Sequence, residues 1–256
     1  MTKIEKTFKK LKQQNKKALI PYIMAGDPSL EATKKFVAEM EEAGADIIEL
    51  GVPFSDPLAD GPTIQRAGER AMKQGVTLRK TLSLVEGIRQ TTQIPLILMT
   101  YYNPVFKYGI KAFVSEAVRA GVDGVIIPDL IPDEAGDFIR IAKKHKLDTI
   151  FLLAPTSTED RVRKVAKASM GFIYYVSITG ITGARLSVDD SMKNTLSLIK
   201  KVAEKPVAVG FGISNPEEAA VVSALAEGVI IGSAIVRQIA EGKDIKNFIK
   251  TIREAI

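Results

Sequence analysis

From residue 18 onward the chain alternates between short, nearly continuous apolar runs and longer stretches whose apolar positions recur every three or four residues. Short runs rich in Val, Ile, Leu and aromatics read as buried strands, and the 3.6-residue period reads as amphipathic helix. Strands are expected at 18–25 (ALIPYIMA), 46–52 (DIIELGV), 95–101 (PLILMTY), 124–129 (GVIIPD), 148–154 (DTIFLLA), 172–178 (FIYYVSI), 206–211 (PVAVGF) and 228–232 (GVIIG). Helices are expected near 29–43, 62–73, 78–92, 110–120, 133–146, 159–170, 190–203, 216–226 and 233–241, with a closing helix near 244–255. Three dipeptides mark helix starts. Asp27-Pro28 and Asn215-Pro216 each read as an N-cap followed by proline at the first helical position, and Pro132-Asp133 is the third.

Strands that alternate with helices build a parallel sheet covered by those helices. Eight such units in 256 residues fit a (β/α)8 TIM barrel of about 250 residues, whereas a doubly wound open sheet stops at fewer strands. The expected architecture is α/β: a TIM barrel over 1–256 as a single domain, with an additional N-terminal helix and a closing C-terminal helix. Barrel geometry places reacting groups at the C-terminal ends of the strands and in the loops that follow, and leaves the opposite face to stability.

The formal charge of +6 raises the question of a polyanionic partner, and its distribution answers it. Residues 1–17 carry seven lysines (Lys3, Lys6, Lys9, Lys10, Lys12, Lys16 and Lys17) against Glu5, while the rest of the chain balances 29 basic with 29 acidic residues. Ile4, Phe8 and Leu11 draw a narrow apolar stripe on this basic segment. A helix docking that stripe on the barrel and showing its lysines to water is the expected arrangement, without nucleic acid or membrane as partner.

Composition narrows the chemistry further. At 46% hydrophobic and 26% charged the chain is globular, neither disordered nor collagen-like. There is no cysteine and one histidine, so disulfides, thiolate-bound metals and a cysteine nucleophile are excluded, and no metal site is expected. His145, in KKHK at a helix end, reads as a solvated cation. Ser233 lacks both a GxSxG elbow and a suitable histidine. No apolar run approaches the roughly 20 residues of a membrane span, and residues 1–17 lack the apolar core of a secretion signal, so a cytoplasmic location is expected.

Three strand ends remain as candidates. In the second strand Ile48 and Leu50 take one face, Glu49 and Gly51 the other. If the first pair packs on helices, Glu49 points into the barrel mouth, where desolvation raises its pKa and suits it to proton transfer; a structural pairing with an inward tyrosine or amide is the equal alternative. The loop after it carries Asp56 and Asp60 among prolines and glycine, a composition that turns and can close over a ligand. The ends of strands seven and eight hold Gly210, Gly212, Gly232 and Ser233, where barrels bind phosphate through backbone N–H groups; close strand–helix packing is the alternative. No GxGxxG opens a first βα unit, so a dinucleotide site fits poorly. The loop SITGITGAR at 177–185 supplies hydroxyl and N–H donors. Tyr101 and Tyr102 sit where one of them faces the mouth, and Asp129 ends strand four with no assigned role.

The segments ELGVPFSDPLADGPTIQ (49–65), PYIMAGDP (21–28), GVIIPDLIPDE (124–134), YYVSITGITGAR (174–185), VGFGIS (209–214) and IIGSAIV (230–236) together strongly resemble the tryptophan synthase α subunit family, in order and over nearly the whole chain. The acidic loop is the specific part; the glycine windows alone are shared with other phosphate-binding barrels, such as phosphoribosyl isomerases and thiamine phosphate synthases. The resemblance implies retro-aldol cleavage of indole-3-glycerol phosphate to indole and glyceraldehyde 3-phosphate, with no cofactor in this chain. It implies Glu49 as general acid–base and Asp60 as acceptor of the indole N–H. It also implies Tyr22, Tyr174, Thr182, Gly183, Gly210, Phe211, Gly212, Gly232 and Ser233 as substrate-binding residues. SITG at 177–180 departs from members with arginine and alanine there, which touches loop closure and not the chemistry. The family pairs with a pyridoxal-phosphate β subunit as an α2β2 tetramer that receives the indole and joins it to L-serine. Pro53, Asp56 and Pro57 are the expected partner-facing loop.

Overall fold

The computed structural model describes residues 1–176, 190–210 and 212–256. Its strands are β1 (Ala18–Met24), β2 (Ile48–Gly51), β3 (Leu96–Met99), β4 (Gly124–Ile126), β5 (Asp148–Ile150), β6 (Leu152–Leu153), β7 (Ile173–Val176), β8 (Val207–Gly210) and β9 (Gly228–Ile231). All pairings are parallel, in the order β5-β4-β3-β2-β1-β9-β8-β7-β6. The two outermost strands are separated in sequence by Phe151 alone. The expected strand 148–154 is therefore split: its first part pairs with β4 and its second with β7, which closes the sheet into an eight-membered barrel.

The alternation read from the sequence decides which residues meet. Leu19, Ile23, Ile48, Leu50, Leu96, Leu98, Val125, Ile173, Val207, Val209, Val229 and Ile231 turn outward into one large cluster with the helices. Ile20, Ile47, Ile97, Ile126, Ile150, Phe172, Tyr174, Ala208 and Ile230 turn inward.

Around the barrel lie α2 (Leu30–Glu42), α3 (Pro62–Lys73), α4 (Leu78–Ile88), α5 (Tyr102–Tyr108), α6 (Ile110–Ala120), α7 (Gly136–His145), α8 (Glu159–Ala168), α9 (Asp190–Val202), α10 (Pro216–Ser223), α11 (Ser233–Ala240) and α12 (Ile245–Ala255). The first helix, α1 (Lys3–Gln13), plugs the barrel's N-terminal end: Ile4, Phe8 and Leu11 join the inward cluster, with Phe8 and Phe172 ring centroids 5.5 Å apart. Burying each of these side chains is worth on the order of 2 kcal/mol. Thr2 and Glu5 form a capping box, and the Thr2 hydroxyl also donates to Asp148 Oδ2 at 2.7 Å. No helix among the described residues is long and apolar enough to cross a membrane.

Several boundaries correct the sequence reading. Asp27 does not cap α2: Ser29 does, accepting the Ala32 N–H at 3.0 Å, while the Asp27-Pro28 bond is cis. The Asp27 carboxylate is instead held by Arg70, Nε and Nη2 each donating at 2.7 Å. Asp133 does not start α7, which begins at Gly136; its carboxylate pairs with Lys164 and Arg161 of α8. The run 95–101 stops as a strand at Met99, and α5 follows, too short to register as a helical period. At Asn215-Pro216 the expectation holds, with Asn215 Oδ1 accepting the Glu218 N–H at 2.8 Å.

Candidate active site

Glu49 lies in the middle of β2, opposite Tyr22 of β1 and Ile97 of β3 in the strand register. It is 1% exposed, and neither carboxylate oxygen has a hydrogen-bond partner among the described residues. The structural alternative, a carboxylate tied to a tyrosine or amide, is therefore not what the geometry shows. Burial first, and then the charge of Asp60, push its pKa up to about 8. At neutral pH Glu49 carries a proton, which relieves the cost of leaving a charge unpaired in the interior.

Asp60 ends the loop that runs from β2 to α3, half-buried, its carboxyl pushed up to about 6 by burial against the opposing effect of the Tyr101 hydroxyl. The two acids thus differ near neutral pH, Glu49 favouring its protonated form and Asp60 its ionised one. Tyr22 and Tyr174 complete the wall. Both phenols are buried and held well above their ordinary pKa, burial first, with Glu49 adding to each. Glycine makes room for both rings: a Cβ on Gly51 would collide with the Tyr22 hydroxyl, and one on Gly210 with that of Tyr174.

Next to β1, Gly232 follows β9 and precedes α11, and a Cβ there would come to 3.4 Å from the Tyr22 side chain, so the start of α11 lies against the wall of the site. Among the described residues no side chain caps α11. The neighbouring α10 differs, because Asn215 and Glu218 already occupy its first turn. An uncapped first turn leaves N–H groups free to receive an oxyanion. Gly212, with φ of +78°, adopts the left-handed backbone that glycine tolerates where the chain turns beside it. Thr182, Gly183 and Phe211 lie outside the described residues.

The loop after β2 carries Pro53 buried, Pro57 half-buried and Asp56 exposed, with Ser55 Oγ donating to Asp56 at 2.5 Å. Sequence reading missed three apolar side chains at this end of the barrel. Leu58 is 90% exposed on the loop after β2, Phe106 is 64% exposed on α5 after β3, and Ile131 is 37% exposed after β4. Apolar residues inside polar strand-end loops were the available signal. Asp129, left without a role, accepts the Tyr102 N–H with both carboxylate oxygens, at 2.9 and 3.2 Å, and so satisfies the start of α5. Among the described residues no group of three or more histidine, cysteine or acidic side chains is disposed to hold a metal ion.

The family model for the tryptophan synthase alpha chain matches residues 8–255. The chain belongs to the tryptophan synthase alpha chain family. A family member from Geotalea daltonii is 53% identical over 258 residues, which cover 100% of this chain and 98% of that one. The crystal structure of tryptophan synthase subunit alpha from Legionella pneumophila matches with a TM-score of 0.92 at 40% identity, covering 100% of this chain and 98% of that one. A chain from the tryptophan synthase α2β2 complex of Pyrococcus furiosus matches with a TM-score of 0.85 at 40% identity, over 93% of this chain and 96% of that one. Family membership accounts for the barrel and for the order of its strand-end segments.

Proposed function

We propose that this chain cleaves indole-3-glycerol phosphate to indole and glyceraldehyde 3-phosphate and passes the indole to a β subunit, as the alpha component of an α2β2 tryptophan synthase. The observation that carries the reading is the pair of carboxyl groups at one barrel mouth, Glu49 buried with no hydrogen-bond partner among the described residues and Asp60 half-buried in the loop that follows its strand, burial raising the first to about 8 and the second to about 6. Indole is a poor carbanion, so it must leave from a form protonated at C3. Glu49 gives its proton to C3. Asp60 accepts a hydrogen bond from the ring N–H and stabilises the positive charge that develops there. The Glu49 carboxylate then takes the proton of the side-chain hydroxyl, the carbonyl forms, and the electrons of the breaking carbon–carbon bond return to the ring. Glu49 ends protonated, ready for another cycle.

Tyr22 and Tyr174 flank the indole in this reading, and Gly210, Gly212, Gly232 and Ser233 cradle the phosphate at the uncapped start of α11. Thr182, Gly183 and Phe211 join them by resemblance. The substrate phosphate is read by backbone N–H groups and a hydroxyl, so the basic residues of α1, at the opposite end of the barrel, take no part. No cofactor belongs to this chain; pyridoxal phosphate belongs to the β subunit. Pro53, Asp56 and Pro57 lie in the loop turned toward that partner, where exposed Leu58, Phe106 and Ile131 supply apolar area. A single domain over 1–256 and a cytoplasmic location complete the proposal. Purified chain supplied with indole-3-glycerol phosphate should release indole and aldehyde in equal amounts, more rapidly when the β subunit is added; no release under either condition would contradict it.

A further inference from the structure

Tyr101 stands at the junction of β3 and α5, in extended backbone (φ −96°, ψ 160°) immediately before the helix, and is 4% exposed. Its backbone is fixed from the next strand, because Asp129 accepts the following N–H through both oxygens. A carboxylate there meets unpaired N–H groups and the positive end of a helix. The side chain crosses to the loop after β2. Its ring packs on Phe54 with centroids 5.3 Å apart, and its hydroxyl accepts the Ala59 N–H at 3.0 Å. A phenol has one proton to donate besides its acceptor lone pairs. With Ala59 on the acceptor side, that proton can turn to the carboxylate of the next residue, Asp60, and a donor there favours the charged form.

We propose that Tyr101 is a positioning residue for Asp60: one phenol grips the loop at Phe54 and at Ala59 and presents its proton to the Asp60 carboxylate, holding that carboxylate toward Glu49. The catalytic consequence rests on the lyase reading above, whereas the effect on Asp60 does not. Among the described residues the titratable groups that interact with Asp60 are Glu49 from β2, Tyr22 from β1 and Tyr101 from the end of β3, and Asp129 acts on Tyr101 from beyond β4. Removing the phenol oxygen leaves the ring against Phe54 but takes from Asp60 the donor that opposes its burial.

The test is Tyr101→Phe in the full chain, with the Asp60 carboxyl followed by carbon-13 NMR against pH and its resonance assigned with Asp60→Asn. The Asp60 midpoint should rise by roughly one unit, the scale of one hydrogen bond to a carboxylate. The acid limb of kcat/KM should move with it, giving about a twofold loss at pH 7 and roughly a tenfold loss near pH 5, while activity at pH 8.5 stays close to that of the parent. Tyr101→Leu, which also removes the Phe54 contact, should shift Asp60 as far and lower kcat/KM at every pH. If Tyr101 serves only to pack, phenylalanine replaces it fully. An Asp60 midpoint unchanged in Tyr101→Phe overturns the proposal whatever the activity. Absence of cleavage by the unaltered chain would instead overturn the lyase reading, and the NMR titration would still decide the role of Tyr101.

Discussion

Glu49 of β2 and Asp60 of the loop that follows it interact through charge, and the negative charge of Asp60 adds to burial in holding the Glu49 proton. The coupling keeps one acid protonated while the other is ionised, the division that a proton donor and an anionic stabiliser require. Asp60→Asn removes the like charge, so the Glu49 midpoint should fall from about 8 by roughly half to one unit. Carbon-13 NMR of labelled glutamate, with Glu49→Gln for assignment, measures it. A midpoint that stays or rises would break the coupling.

Asp148, at the start of β5, turns inward at the plugged end of the barrel. Its Oδ2 accepts from Thr2 at 2.7 Å, while Oδ1 has no partner among the described residues. Burial, with the charges of Glu5 and Asp123 adding and the Thr2 hydroxyl opposing, raises its pKa from 3.8 to about 7. A folded-state pKa above the unfolded one means that the stability present below pH 4 is lost as pH rises toward 7. Asp148→Asn should therefore match the parent in urea near pH 4 and exceed it at pH 8, by on the order of a few kcal/mol. An equal difference at both pH values would contradict this assignment.

The bidentate pair of Arg70 with Asp27 ties α3 to the loop after β1, and Asp27 is 3% exposed. Arg70→Ala leaves that carboxylate buried without its partner. The cost should be about 2–4 kcal/mol in urea unfolding, and Arg70→Lys should recover only part of it, because a point charge does not replace the planar fork.

Gly51→Ala places a methyl group where the Tyr22 hydroxyl lies. Overpacking of this kind costs about 1–3 kcal/mol. The ring must also tilt into the mouth, so KM for indole-3-glycerol phosphate should rise. Combining it with Tyr22→Phe removes the nearest clashing atom and should restore part of the stability. A double variant no better than Gly51→Ala would place the conflict elsewhere.

Much of this arrangement follows from alternation along the strands. Once Ile48 and Leu50 are taken as outward, Glu49 has to face inward, and Ile4, Phe8 and Leu11 mark the buried side of α1 in the same way. What periodicity does not carry are the choices made between loops. Asp27 followed by proline looks like a helix cap, yet Arg70, 43 positions later, claims the carboxylate, and Ser29 is available two residues on. The short α5 lies beneath the length at which a helical period registers, so Tyr101 read as the end of a strand and its reach to Ala59 stayed hidden. Both depend on which loops the closed barrel brings together.

The central claim, that the buried proton of Glu49 breaks the carbon–carbon bond, is tested most directly by Glu49→Gln. The amide keeps the size of the side chain and loses the transferable proton. Indole release from indole-3-glycerol phosphate should fall by a factor of at least about 1,000, at the strong end of general acid–base effects, while affinity for indole-propanol phosphate stays within a few-fold of the parent. Undiminished indole release by Glu49→Gln, with the analogue still bound, would contradict it.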